Sequence, residues 1–335
     1  MSFYVTTLLV YVGIDVMACW GLNLQFGLTG INNFAFIIFQ AAGAYTAAVL
    51  SLGPQSGNGG FQHYLFGASL PFPIPILMGG VIAGVLSFAV GLITLRRLRS
   101  DYQAMVMLVI AVIGTIVVEN LGTFLNGSAG LALIPQPLSN DFGSLIDYQW
   151  AFVAFTAIAC LVVYFFLNRI TSSPLGRALR SVRDHEYAAA ALGKDVARLR
   201  MFSFVAGGVM AGISGGLLVS FITAWSPGSW LYVETLVLLT AVIVGGTGNN
   251  FGVMLGALLV PVVFNEVTRY LPKFGRPGLI DALQWILIGG LALAFLWFRP
   301  QGIVPERRRR HRRPGAASDR PATGSPGNPA IAEPQ

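Results

Sequence analysis

The chain has 335 residues, of which 55% are hydrophobic and only 10% are charged, and its formal net charge is +7. Because a soluble domain is about 25% charged, this sequence lacks the polar residues that would cover a water-facing surface, and a soluble enzyme is excluded. A helix needs about 20 mostly apolar residues to cross a bilayer. The composition therefore indicates an all-α, polytopic helical membrane protein.

Nine apolar segments are the candidate membrane crossings, and a count of eight or ten is the alternative. They are residues 3–22, 31–52, 74–95, 103–125, 150–167, 201–222, 231–244, 253–267 and 283–298. The seventh and eighth have only 14 and 15 residues, which favours broken or re-entrant helices there. In the sixth segment small residues recur every fourth position, a spacing that lets helices approach closely in lipid. These residues are Gly208, Gly212, Gly216 and Ser220.

Basic residues are clustered, and their clusters predict the orientation. No Lys or Arg precedes Arg96, and further clusters lie at 169–200 and at the C-terminus. The positive-inside rule assigns these regions to the cytoplasm, so we expect a cytoplasmic C-terminus and, with nine crossings, an external N-terminus. The segments 53–73 and 126–149 contain no Lys or Arg and should face outward. Against the rule, the basic loop 269–276 would also face outward.

The chain divides into one membrane domain and a tail. Residues 1–304 carry all nine segments and the polar loop 169–200, whereas residues 305–335 are rich in Arg and Pro without apolar periodicity. We expect this tail to be disordered and cytoplasmic. An Arg-rich run such as 307–310 can contact anionic membrane lipid or RNA, but a solvated tail is the simpler interpretation, and no nucleic-acid partner is predicted.

No catalytic or metal-binding motif is found in the sequence. Cys19 and Cys160 both fall inside apolar segments, without the CxxC spacing of a metal or redox site. The histidines lie in loops without the spacing of metal ligands, at His63, His185 and His311. The chain is therefore predicted to be neither an enzyme nor a metalloprotein.

The polar loop 169–200 is predicted to contain a substantial helix. Ser173 followed by Pro174 is typical of an N-cap and a first helical position, and Gly193 is a typical stop. The residues 176–192 favour a helix whose Ala-rich turn is small enough to enter a groove in a partner protein. An amphipathic helix on the anionic inner leaflet is the alternative. The polar candidates for a partner contact are Arg183, Asp184 and Glu186.

The segment from Ser173 to Gly193, SPLGRALRSVRDHEYAAAALG, resembles the coupling loop of the branched-chain amino-acid ABC transporter permease family, LivM-type subunit. Three further blocks agree in order and spacing, and the resemblance covers about residues 8–304. The blocks are LNLQFGLTG at 22–30, GGTG at 245–248 and RPQGI at 299–303. Within the loop, the family's coupling motif corresponds to Glu186, Ala188, Ala189 and Gly193.

The resemblance implies a permease subunit of an ABC importer in the bacterial inner membrane, which takes up branched-chain amino acids or a related small amino acid, amide or urea. It implies a second, homologous permease subunit of the LivH type, two cytoplasmic ATPases of the LivG and LivF type, an extracytoplasmic substrate-binding protein, and surrounding membrane lipid. ATP and Mg²⁺ would be bound by the ATPases, since neither Lys194 nor Lys273 completes a phosphate-binding GxxxxGK[ST] motif here. The implied ATPase contacts are Arg183, Asp184, Glu186, Ala188, Ala189 and Gly193.

Two short segments of the chain echo each other. Residues 27–34 (GLTGINNF) and 245–251 (GGTGNNF) both carry a glycine-interrupted turn with paired Asn. Interrupted segments in the two halves of a transporter indicate broken helices around a central pathway, and chance similarity of two turns is the equal alternative. The candidate pathway residues are Asn32, Asn33, Thr247, Asn249 and Asn250.

Acidic residues in or beside the apolar segments are the remaining candidates, because an ionisable group in a membrane is costly. Asp15 is the deepest, and Glu119 lies nearer the outer end of the fourth segment. A gradient-driven secondary transporter, working without an ATPase, would need a buried acid, and only Asp15 qualifies. A structural hydrogen bond from Asp15 to a neighbouring helix is the simpler interpretation, because no second acid is predicted at its depth. The acids predicted near span ends are Glu234, Glu266 and Asp281.

Overall fold

The fold is all-helical in the described part of the chain, as predicted. The computed structural model of the protein describes residues 2–54, 62–97, 100–137, 143–264, 279–299 and 301–306. Within those residues, β-structure is confined to two isolated bridges, Tyr64 to Leu125 and Leu131 to Trp225. The tail that was predicted to be disordered lies outside the described residues from position 307 onward.

Twelve α-helices are present in the described residues. They are α1 (Ser2–Thr29), α2 (Phe36–Ser51), α3 (Ile74–Arg97), α4 (Ser100–Asn120), α5 (Gly122–Leu125), α6 (Leu145–Ser172), α7 (Pro174–Asp184), α8 (Glu186–Ala191), α9 (Val196–Ile222), α10 (Tyr232–Gly245), α11 (Asn250–Ala257) and α12 (Leu279–Phe298). α11 continues into a π-helical segment, Leu258–Phe264, that contains Pro261. A proline inside a helix removes a backbone donor, which accounts for the irregular continuation of this short segment.

Six helical stretches are long and apolar enough to cross a membrane, judged by length and composition. They are Phe3–Thr29, Ile74–Leu95, Tyr102–Asn120, Ile146–Ser172, Val196–Ile222 and Pro227–Gly245. Three shorter apolar helices, Phe36–Ser51, Asn250–Pro261 and Trp285–Phe298, occupy the remaining predicted segments. The chain is therefore a multi-pass membrane protein, and the count of nine crossings stays a prediction.

α1 is longer than the apolar pattern predicts, because its polar residues are satisfied by other elements. The predicted segment ends at residue 22, but the helix continues to Thr29 through Asn23 and Gln25. Asn23 Nδ2 donates to Asn250 Oδ1 at 3.2 Å, and Gln25 Nε2 donates to the carbonyl oxygen of Phe204 at 2.8 Å. A buried amide with such partners costs little, so the helix extends beyond its apolar stretch.

Three helices meet through glycines at one point of the bundle. A Cβ added at Gly43 of α2 would lie 2.2 Å from the carbonyl oxygen of Gly212 in α9, and one added at Gly79 of α3 would lie 2.6 Å from the carbonyl oxygen of Gly43. Backbones this close leave no room for a side chain. Gly212 belongs to the small residues of the sixth apolar segment, so the close helix contact predicted there is confirmed at this position.

Valine in place of Gly43 is expected to destabilise the protein by about 3 kcal/mol, because the side chain would push α2 away from α9. The matched control is Gly289→Val in α12, where an added Cβ meets nothing within 4 Å. Thermal unfolding of the detergent-purified protein, followed by its size-exclusion profile, measures the difference. Equal unfolding temperatures for the two variants would contradict the packing at this junction.

Candidate functional site

The polar loop joins α6 to α9 through two helices instead of one. The side chain of Ser173 accepts a hydrogen bond from the Gly176 amide at 3.4 Å, and Pro174 occupies the first turn of α7, as predicted. The single helix predicted over 176–192 is wrong, because His185 has extended backbone angles (φ −153°, ψ 98°) and separates α7 from α8. The break lets each helix be held by a different part of the membrane domain.

The α8 tip, which we define as residues 187–193, projects an apolar surface from this loop. Tyr187 is 92% exposed and Leu192 is 77% exposed, whereas Ala189 is buried. The other residues of the tip are also exposed, namely Ala188, Ala190, Ala191 and Gly193. Tyr187 and Leu192 were not predicted as contact residues. Two large side chains on either side of an Ala run in a polar loop would have indicated such a surface. Clustered exposed apolar residues are typical of a surface that meets a partner.

Gly193 ends the α8 tip in the left-handed conformation, with φ +78°. Its amide donates to the carbonyl oxygen of Ala190 at 2.9 Å, and the amide of Lys194 donates to that of Ala189 at 3.2 Å. The predicted helix stop is thus present, since a residue with a Cβ is strained at this angle. Lys194 Nζ also donates to Ser181 Oγ at 2.8 Å, which ties the turn after α8 to α7.

Arg183 is turned toward the membrane domain. Its Nη1 donates to the carbonyl oxygen of Gly27 near the end of α1, and its Nη2 donates to Glu306 Oε2 at 2.9 Å. Arg180, three residues earlier on α7, forms an ion pair with the other oxygen of the same carboxylate. We call Arg180, Arg183, Gly27 and Glu306 the Glu306 clamp. It ties α7 both to α1 and to the end of the described chain.

The charges of the Glu306 clamp are partly shielded from water. The side chains of Arg180, Arg183 and Glu306 are 30%, 22% and 17% exposed. Burial alone would lower the pKa of Arg183, but its hydrogen bonds to Glu306 and Asp184, and their charges, raise that pKa above its ordinary value. Arg183 therefore stays charged, and loss of Glu306 would leave this charge without a main partner.

The C-terminal segment 301–306 pairs with the glycine loop that follows α10. The Ile303 amide donates to the carbonyl oxygen of Val244 at 2.8 Å. Gly246 has φ +116°, and a Cβ there would lie 2.3 Å from the carbonyl oxygen of Val304, so glycine is required at this close approach. Two blocks that are distant in sequence thus form one unit, and this unit positions the Glu306 clamp.

Glu186, at the start of α8, is exposed but contacts α9. Its two carboxylate oxygens accept hydrogen bonds from Arg200 Nη1 of α9 at 3.1 and 3.2 Å. Arg200 is buried, and its Nη2 donates to Gln103 Oε1 of α4 at 3.1 Å. Asp184 is also exposed, and it pairs with Arg183 of its own helix. The first residue of α8 is therefore fixed to α9 and α4, while the α8 tip projects outward.

The two echoing turns, residues 27–34 and 245–251, both form hydrogen bonds to side chains of α1. Asn33 Nδ2 donates to Gln25 Oε1 at 2.8 Å, and Asn33 Oδ1 accepts from the Ala35 amide at 3.0 Å. Asn250 Oδ1 accepts from Asn23 Nδ2 at 3.2 Å. Asn33 and Asn250 are both buried. Each of these predicted pathway residues thus makes contacts between elements of the bundle.

The other three pathway candidates lie at the edges of the same turns. Asn249 caps α11, because its Oδ1 accepts from the amides of Phe251 and Gly252 at 3.1 and 3.4 Å. Asn32 and Thr247 are half-buried. Asp15 lies in the wall of a cavity of about 300 Å³, and none of the five predicted pathway residues lines that cavity.

This cavity reaches α1 from the end of the fold opposite the α8 tip. Asp15 and Glu234 both line it, and their carboxylates interact electrostatically. Glu234 was predicted near a span end, and it is exposed in the first turn of α10, but it lines the same cavity as Asp15. Glu119 is exposed on α4 and does not line it. Glu266 and the side chain of Asp281 lie outside the described residues.

The protein is a multi-pass helical membrane protein. Its α7–α8 loop is held to the membrane domain by ion pairs, and the apolar α8 tip of this loop is exposed. In the described part of the chain, no group of three or more His, Cys, Asp or Glu could hold a metal ion. The sequence profile of the family described as "Branched-chain amino acid transport system / permease component" matches residues 4–296. The chain belongs to this family of permease subunits, which are not enzymes, and the family predicted from the sequence is confirmed.

Named relatives agree with this membership. The high-affinity branched-chain amino acid transport system permease protein LivM of Escherichia coli (strain K12) is 30% identical over 306 residues, which cover 85% of this chain and 66% of that protein. The chain thus spans just under two thirds of that relative's length. The probable branched-chain amino acid transport permease protein LivM of Methanocaldococcus jannaschii is 28% identical over 334 residues, covering 90% of this chain and 94% of that protein.

A relative of a second type also matches. The high-affinity branched-chain amino acid transport system permease protein LivH of Escherichia coli (strain K12) is 24% identical over 262 residues, which cover 75% of this chain and 80% of that protein. No solved structure matches the chain.

Proposed function

We propose that this chain is one of two membrane subunits of an ABC importer for branched-chain amino acids, or for a related small amino acid, amide or urea, in the bacterial inner membrane. The energy comes from ATP that a partner ATPase hydrolyses. The observation that carries the proposal is the α8 tip, an exposed apolar surface on a loop that is otherwise anchored to the membrane domain. Membership of the permease family supports the class of cargo.

The α8 tip is the surface that we assign to the partner ATPase. Tyr187 and Leu192 are large enough to fill a pocket, and the small residues Ala188 and Gly193 let the tip approach closely. The exposed carboxylate of Asp184 lies beside the tip and can meet a basic side chain of the partner.

The remaining predicted coupling residues have a different role in this proposal, which is to hold the tip. Arg183 does so through Glu306, and Glu186 does so through Arg200. Ala189 is buried, so it supports the tip from its inner side. A docking surface on a rigid support transmits force better than one on a free loop, which favours coupling over simple attachment.

Contacts between the connecting segments support the predicted topology. Segments predicted to face outward touch one another, since Gln62 Nε2 donates to the carbonyl oxygen of Ala132 and Gln62 Oε1 accepts from the Ala132 amide, both at 3.1 Å. At the opposite end, Glu306 pairs with Arg183, so the C-terminal segment lies beside the α7–α8 loop. If the chain crosses the membrane nine times and its C-terminus is cytoplasmic, segments 53–73 and 126–149 lie at one end of the fold. The α7–α8 loop and the C-terminal segment then lie together at the other end.

A heterodimer of permease subunits is the assembly that we propose. The similarity of this chain to both LivM and LivH of Escherichia coli supports a partner of the LivH type with a matching membrane domain. Two cytoplasmic ATPases of the LivG and LivF type, which bind ATP and Mg²⁺, and an extracytoplasmic substrate-binding protein complete the importer. Membrane lipid surrounds the two permease subunits.

Closure of the ATPase pair on ATP would displace the α8 tip, and two anchors would carry that displacement into the membrane. The contact between Glu186 and Arg200 leads to α9 and α4. The Glu306 clamp leads to α1 and to the glycine loop after α10. Coordinated movement of these helices would switch the pathway between outward-facing and inward-facing states.

Uptake by a reconstituted complex tests this function. The chain is coexpressed with its LivH-, LivG- and LivF-type partners and placed in liposomes that enclose ATP, with binding protein and radiolabelled L-leucine outside. We expect uptake that is lost when ADP replaces ATP and that persists with a protonophore. Uptake that needs no ATPase and collapses with a protonophore would overturn the proposal and favour a gradient-driven transporter with Asp15 as its coupling acid.

A further inference from the structure

The cavity that contains Asp15 is lined by both polar and apolar residues. Its volume is about 300 Å³, and α1, α2, α9, α10 and α12 line it together with the connection after α9. This volume is at the lower end of the range of about 300–1,000 Å³ that is typical of small-molecule sites. The polar residues that line it are Tyr11, Asp15, Gln40, Ser229 and Glu234.

The cavity contains two carboxyl groups, Asp15 and Glu234, and no basic group among the described residues that line it. The side chain of Asp15 has no hydrogen bond or ion pair with any other described residue, and Glu234 adds a second carboxyl group. No Lys, Arg or His is found among the described residues of the lining. An ionised carboxylate within a membrane span is costly, so a cationic ligand in the cavity would stabilise the ionised form of Asp15.

Gln40 gives an independent sign of a ligand. Its side chain is only 4% exposed, yet its amide makes no hydrogen bond to any other described residue. Gln40 lines the cavity from α2, and Asp15 lines it from α1. A polar ligand in the cavity would give this side-chain amide a hydrogen-bond partner.

We propose that this cavity is a cargo site in which Asp15 binds the α-ammonium group of a zwitterionic amino acid. Glu234, which is more exposed, attracts the ammonium group at the mouth, and Gln40 hydrogen-bonds the polar end of the cargo. The apolar side chain packs on wall residues such as Leu218, Ile222 and Val237. This inference rests on the proposed import of branched-chain amino acids and names the group of the cargo that is recognised.

A metal cation fits these walls less well than an ammonium group. A bare ion is held by about six or more oxygen ligands, whereas most of the lining here is apolar or aromatic. Trp225 and Trp285 also line the cavity, and an ammonium group gains from the face of an indole ring. The cavity is therefore assigned to an amphiphilic organic cation.

Three variants of the reconstituted complex test the cargo site. With saturating ATP and leucine-loaded binding protein, we expect Asp15→Asn to lower kcat/KM for L-leucine uptake about tenfold, which is the effect of losing about 1.4 kcal/mol of interaction. Asp15→Glu, which keeps the charge, should restore most of the rate. Glu119→Gln is the matched control, because it removes an acid that does not line the cavity, and it should transport like the wild type.

The outcomes separate this inference from the function on which it rests. An Asp15→Asn complex that copurifies with its ATPases and transports like the wild type overturns the cargo site and leaves the importer intact. A wild-type complex without ATP-driven leucine uptake overturns both. Wild-type uptake that stops when choline replaces Na⁺ would also overturn it, by assigning Asp15 to a metal ion. If Asp15→Asn does not assemble, Gln40→Leu decides, with a loss of about fivefold expected and an unchanged rate contradicting the site.

Discussion

Replacing Glu306 by lysine is expected to abolish ATP-driven uptake, with a reduction of about a hundredfold or more. The change removes the carboxylate that pairs with Arg180 and Arg183 and puts a third cation between them. Breaking a largely buried ion pair costs about 3 kcal/mol, because the remaining charges lose their compensation. α7 would then separate from the end of α1, and movement of the α8 tip would no longer reach the glycine loop.

L-leucine uptake by the reconstituted complex measures this effect, together with the amount of ATPase that copurifies. The Glu306 clamp acts behind the docking surface, so Glu306→Lys should lose uptake while it retains ATPase. Arg198→Gln is the matched control, since it removes only an exposed ion pair with Asp195, and such a surface pair is worth about 0–1 kcal/mol. Equal transport by the two variants would mean that the Glu306 clamp has no part in coupling.

A glutamate in place of Leu192 is expected to prevent the ATPase from binding. The side chain is 77% exposed, so the change leaves the fold intact, but it would bring an unpaired charge into an apolar pocket of the partner. Large anchor side chains at an interface contribute about 2–4 kcal/mol when they are central to it. Recovery of ATPase with the purified chain should therefore fall by about thirtyfold or more, and uptake should fall with it.

Mass spectrometry after purification in mild detergent measures the ATPase peptides that accompany each variant. Leu133→Glu is the matched control, because Leu133 is 78% exposed on the connection after α4, at the other end of the fold. We expect recovery like that of the wild type for Leu133→Glu and almost none for Leu192→Glu. Full recovery of ATPase with Leu192→Glu would exclude the α8 tip as the docking surface.

The apolar pattern located the helices because a membrane imposes a length and a composition on each crossing. Where the prediction fell short, polar residues had partners that no local pattern displays. α1 runs to Thr29 because Asn23 and Gln25 are bonded to residues more than 170 positions away. The loop helix is broken at His185, and the residues before and after the break contact different elements: Arg183 contacts Glu306, and Glu186 contacts Arg200 of α9.

In the loop between α6 and α9, the helix start and stop could be predicted from the sequence but the side-chain contacts could not. The cap at Ser173, the Ala run and the stop at Gly193 are local features. The sequence did not distinguish the inward Arg183 from the outward Tyr187, because the direction of a side chain depends on Glu306, which lies 123 positions further on. The pairing of Asp15 with Glu234 in one cavity likewise follows from helix packing alone.

In the proposed importer, the α8 tip lies in a pocket of a partner ATPase. A photoreactive p-benzoylphenylalanine in place of Tyr187, irradiated in membranes that contain the coexpressed complex, tests this contact directly. Mass spectrometry should find the residue joined to a peptide of an ABC ATPase, and the yield should change when ATP is added. Cross-links to lipid alone, with no ATPase peptide with or without ATP, would contradict the account.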